Sequence, residues 1–85
     1  MNAYYILGVH TKNRVVNAKA VQELLTEYGC NIRTRVGLHR VADGICAADG
    51  VILLELFGEE SLCNELCAKL SALDGVNVQK MVFPY

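Results

Sequence analysis

The residues able to do chemistry in this sequence are two histidines, four cysteines and a few arginines and aspartates. His10 closes the apolar run YYILGVH, His39 closes NIRTRVGLH, and Asp43, Cys46 and Asp49 follow within RVADGICAADG. Imidazole, thiolate and carboxylate in one neighbourhood suit zinc, nickel or copper. His10, His39 and Cys46 are therefore a candidate metal set, with Asp43 and Asp49 as further donors. The competing reading is plain: a histidine at a strand end is commonly a half-exposed side chain, and no close-set pair such as C-x-x-C or H-x-x-x-H accompanies these residues. Arg33 and Arg35 could grip an anion bidentately or pair with Glu55 across a strand. No nucleophile stands with a base and an orienting acid at readable spacing, so an enzyme is not expected.

The elements that must position these groups belong to one domain, residues 1–85. A chain of 85 residues buries only about 60 to 65% of its unfolded surface, and a partner surface would add to its stability. With 53% hydrophobic and 20% charged residues it is too apolar to stay disordered. A net charge of -1 and a pI near 6.0 give no basic footprint for nucleic acid. No signal-like segment is expected at the N-terminus, and the apolar run GVILLELFG falls far short of the ~20 residues of a membrane span. A cytoplasmic protein with reduced thiols follows. Cys63 and Cys67, one helical turn apart, read as small core hydrophobes.

Residues 4–10 are aromatic and β-branched and predict a strand. A helix follows, with Asn17 as its N-cap, Val21, Leu24, Leu25 and Tyr28 as its apolar stripe, and Gly29 at its C-terminal stop. A second strand is predicted over 30–40, turn residues over 42–50, and a central strand at VILLELF. The second helix spans 60–73, with Leu62, Leu66, Leu70 and Leu73 on one stripe, and Asp74 and Gly75 end it. VNVQKMVF supplies a fourth strand. The segments YGCNIRTRV and LDGVNVQKMV echo one another, and the β-α-β-β-α-β order with right-handed crossovers defines an α+β fold: a ferredoxin-like βαββαβ plait, an antiparallel sheet in spatial order 4-1-3-2 with both helices on one face.

Strand alternation then assigns the two faces. Tyr5, Leu7, Val9, Ile32, Thr34, Val36, Leu38, Ile52, Leu54, Leu56, Val76, Val78 and Val82 are expected to meet the helices. The other parity, including Arg33, Arg35, Gly37 and His39, is expected on the open face. Six large side chains there, Ile6, Val51, Leu53, Phe57, Met81 and Phe83, would contribute on the order of 10 kcal/mol per subunit if buried. Association costs about 4 to 15 kcal/mol, so these residues are a candidate homo-oligomer interface, dimeric or tetrameric.

The run VQELLTEYGCNIRTRVG, with Asn31 and Ile32 after its glycine, resembles the ACT-domain pattern over roughly residues 4 to 40. That resemblance implies a regulatory module binding a small molecule, usually an amino acid, at a subunit interface near the loop after the first strand. Thr11, Lys12, Asn13 and Arg14 of that loop, with Arg33 and Arg35, are the candidate effector-binding residues. Over nearly its full length, through YYILGV, NIRTRVGL and LSALDGVNVQKMV, the chain resembles stand-alone ACT-like proteins named as regulators of the iron-only hydrogenase system, which implies a regulatory context. More distantly it is similar to the regulatory domain of the nickel-responsive repressor, whose ligands would correspond by position to His10, His39 and Cys46.

The expected function is thus a small non-enzymatic regulatory module that self-associates through its sheet, senses a small-molecule effector or a regulated protein, and acts through another chain. The alternative is a transition-metal sensor loading nickel or zinc. An RNA-binding plait is a third reading, opposed by the acidic pI and the scarcity of central aromatics.

Overall fold

The computed structural model describes residues 3–12, 14–42 and 45–85, the side chains of 14–16, 39–42 and 45–48 excepted. β1 (Ala3–Thr11) alternates strictly between buried and more exposed positions. Ala3, Tyr5, Leu7, Val9 and Thr11 point into the core, as the period of two requires. α1 (Arg14–Glu27) follows and leads through a short 3-10 turn (Gly29–Asn31) into β2 (Ile32–Ala42). β3 (Ile45–Leu56), α2 (Glu60–Ser71) and β4 (Val76–Pro84) complete the chain. The sheet runs β2-β3-β1-β4 with every neighbouring pair antiparallel, which is the predicted plait.

The core lies between one face of this sheet and the two helices. Leu7, Leu54, Leu66 and Leu70 are fully buried at its centre, with Val21 and Leu25 from α1, Tyr28 just after it and Cys63 from α2 beside them. Leu62, Cys67 and Leu73 pack against the margin. The two helical cysteines are therefore small apolar packing groups, as their spacing suggested.

Four local expectations change. α1 begins at Arg14, so Asn17 lies within it. Its side-chain Nδ2 instead donates a hydrogen bond of 2.8 Å to the carbonyl of Asp74, tying α1 to the turn that follows α2. Gly29 opens the 3-10 turn, and among the described residues the left-handed glycines are Gly58 and Gly75. At Gly75, φ of 79° gives the chain the reversal that sends it from α2 into β4. Residues 45–50 belong to β3 rather than to a turn, because pairing of Ala42 with Ile45 carries the hairpin ladder to its tip.

The fourth change decides which side chains share a face. The β2–β3 register shifts between Ile32 and Thr34, so that Thr34, Val36 and Leu38 stand opposite Glu55, Leu53 and Val51. A β-bulge adds one residue to one strand and reverses the alternation beyond it. Thr34, Val36 and Leu38 consequently lie on the open face, Val36 and Leu38 being 44% and 48% exposed. Arg35 and Gly37, opposite Leu54 and Ile52, lie on the helix side. Ile32, before the bulge, and Arg33, at it, keep their expected sides. On β4, Val82 pairs with Tyr5 as expected yet remains exposed, because that strand is the sheet edge.

Candidate functional site

The open face is a grid of cross-strand rows. Phe83 pairs with Tyr4; Met81, Ile6, Glu55 and Thr34 form the next row; Gln79, Gly8, Leu53 and Val36 the next; Asn77, His10, Val51 and Leu38 the last. Tyr85 extends the first row, its ring 5.0 Å from that of Tyr4. Tyr4, Val36, Leu38, Phe57, Met81, Phe83 and Tyr85 are all exposed. Folding leaves these side chains uncovered. Ile6, Val51, Leu53, Phe57, Met81 and Phe83 all fall on this face by register or, for Phe57, by continuation of it.

Two polar pairs lie on the face among the described residues. Thr34 Oγ1 donates to Glu55 Oε1 at 2.8 Å, a side-by-side pair across the β2–β3 ladder. His10 Nε2 lies 3.1 Å from Asp49 Oδ2. The guanidinium of Arg33, the residue inserted at the bulge, stacks 4.9 Å above the Phe57 ring. Polar atoms paired in this way can be covered without being orphaned. At its middle, Gly8 presents no side chain between Leu53 and Gln79.

The two arginines expected to act together are separated. Arg33 stacks on Phe57 at one end of the open face, while Arg35 crosses to the helix side and lines a cleft of about 450 Å³ between α1 and the β2–β3 hairpin. Glu55, considered as an arginine partner, is bonded to Thr34 instead. Of the other effector candidates, Thr11 is buried and also lines that cleft. Lys12 is exposed, and its backbone N–H donates to the carbonyl of Gly75 at 2.9 Å. Arg14 opens α1 with its side chain outside the description, and Asn13 lies outside the described residues.

Of the metal candidates, the structure brings His10 to Asp49. The backbones of His39 and Cys46 pair with those of Gly50 and Val41; their side chains, and the whole of Asp43, lie outside the described residues. Among the described residues no three of His, Cys, Asp and Glu gather as a metal site, and no helix is long and apolar enough to cross a membrane.

The cleft is the feature that sequence reasoning missed. Gly37, Gly50 and Ala18 leave it open, but their convergence depends on the bulge, which strand alternation alone does not reveal.

No family model and no curated protein matches the chain. Among solved structures it is similar to an uncharacterized protein from Thermotoga maritima, at 28% identity and a TM-score of 0.79, covering 93% of this chain and 94% of that one. A nitrogen regulatory PII-like protein from Thiomonas intermedia K12, bound to ADP, AMP and bicarbonate, aligns at 15% identity and a TM-score of 0.57 over 98% of this chain and 94% of its own. A dimeric ferredoxin-like protein from an uncultured marine organism aligns at 9% identity and a TM-score of 0.56 over 100% and 96%. These likenesses define the class as a ferredoxin-like α+β domain. The two more distant ones establish the fold alone.

Proposed function

We propose that the chain is a small non-enzymatic regulatory module that pairs with a second copy of itself through the open sheet face and passes a ligand signal to another protein. The observation that carries this reading is the set of exposed apolar side chains that the register gathers on the open face, Tyr4, Val36, Leu38, Phe57, Met81, Phe83 and Tyr85, among which Thr34 pairs with Glu55 and His10 with Asp49. Those features favour a second copy as the occupant: an isologous pair buries the same rows on both sides, and Gly8, which has no side chain, lets a facing sheet approach closely. The PII-like and dimeric ferredoxin-like neighbours support a regulatory, assembling role. The resemblance to regulators of the iron-only hydrogenase system suggests the process in which it acts.

A second reading, a sensor of nickel or zinc built on His10, His39 and Cys46, draws support from one observation, the placement of His10 Nε2 beside a carboxylate oxygen of Asp49; such a carboxylate orients a ligating imidazole. Native mass spectrometry of untagged protein prepared without chelator separates the two. A metal-free dimer is the expected result. A metal-sized mass increment that disappears in His10→Ala would favour the sensor, and a monomer would contradict assembly through the sheet.

A further inference from the structure

We infer that the cleft between α1 and the β2–β3 hairpin binds a small organic monocarboxylate, with Arg35 holding the carboxylate and the apolar floor holding its hydrocarbon chain. The cleft has a volume of about 450 Å³, within the range of small-molecule sites. Among the described residues its lining combines one cation, Arg35, with Gln22 and Thr11 as polar neighbours and no carboxylate. Val21 and Ile52 supply apolar wall.

The cleft exists because of the bulge between Ile32 and Thr34. That inserted residue turns Arg35 from the open face to the helix side, opposite the fully buried Leu54. Gly37 and Gly50, which lack side chains, then leave the space beneath α1 that larger residues would fill. Arg35 is exposed, and among the described residues no acidic group pairs with it. A guanidinium at the mouth of an apolar cleft offers two parallel N–H donors to a planar carboxylate while the rest of the ligand leaves water. Arg35, with no acid beside it among the described residues, favours a ligand group of negative charge. The preferred ligand is therefore an aliphatic monocarboxylate.

The inference deepens the proposed regulatory role, since it names the ligand class, but its test does not require the protein to assemble. The probes are butanoate, hexanoate and octanoate, titrated into the labelled protein while backbone amide shifts are followed by NMR. Saturable shifts centred on Gly37, Gly50 and Ile52 are expected, with Kd on the order of 1 mM for hexanoate. Hexanamide, which lacks the charge, and Arg35→Gln should each weaken the response by about tenfold or more. Ala18→Leu, which fills the cleft from the helix side, should abolish it. Absence of a saturable response to all three acids, or equal binding of hexanamide, or undiminished binding by Arg35→Gln, would overturn the site. Because sedimentation reads assembly separately, failure of the cleft and failure of the self-association reading are told apart.

Discussion

Among the described residues, four titratable side chains are held with their protons more firmly in the folded chain than in water, and they bear on how the protein meets alkali. Burial pushes the Cys63 thiol and the Tyr5 phenol up from their ordinary values of 9.0 and 10.0, the nearby Glu60 carboxylate adding to the effect at both. The Tyr28 and Glu27 side chains beside it raise Lys69, and a hydrogen bond with Glu60 raises Lys80. A group whose folded-state pKa is raised contributes stability that is fully present below its unfolded value and is lost as pH climbs through the folded one. All four shifts have the same sign. The Tm should accordingly begin to fall as pH passes 9.0, the ordinary thiol value, and fall further beyond 10.5, the ordinary lysine value. Calorimetry across that range checks it; a Tm that rises above pH 9.0 would contradict these environments. At this scale the sequence was partly legible. Leucines and cysteines at helical spacing identify the buried face of α2. Asn17, however, looks like a cap by type alone, and only the fold brings Asp74 to it.

At the scale of elements, hydrophobic periodicity and turn chemistry specify the order β-α-β-β-α-β, while the bulge in β2 escapes both. The residues Ile32, Thr34, Val36 and Leu38 form the more apolar parity of that strand, and simple alternation sends them all to the core. One inserted residue, Arg33, reverses the assignment for all but the first. The signal is absent because either parity of RTRVGL supports a half-buried strand, and the choice is made by β3, whose Leu54 and Leu53 fit opposite sides of the sheet. The connection from β3 to α2 has a clearer demand. Gly58 has φ of 110°, and a Cβ there would come 2.9 Å from Asn31 Nδ2. That amide donates to the carbonyl of Phe57 at 3.3 Å, while the Phe57 N–H donates to the carbonyl of Asn31 at 2.9 Å. Gly58→Ala should therefore cost about 1 to 3 kcal/mol, seen in thermal melts as roughly 4 to 8 °C for each kcal/mol. An unchanged Tm would show that the clasp between Asn31 and Phe57 does not constrain this turn.

For the whole molecule, the division of labour follows from the two sides of one sheet. Both helices lie over one side, leaving the Arg35 cleft at the hairpin margin. The opposite side keeps its apolar rows uncovered. β2 and β3 contribute to both sides through alternate residues, so a ligand that orders the cleft acts on the strands that present Val36, Leu38 and Leu53. The central claim is that those residues meet a second copy of the chain. Sedimentation equilibrium of the wild-type chain, Val36→Lys and Arg35→Gln at matched concentration tests it most directly, because neighbouring residues on β2 then serve opposite faces. The wild type and Arg35→Gln should both sediment as dimers at tens of micromolar. Val36→Lys, which places an unpaired charge in the covered face, should weaken association by at least about tenfold. A monomeric wild type, or a dimer that Val36→Lys leaves intact, would contradict assembly through the open sheet.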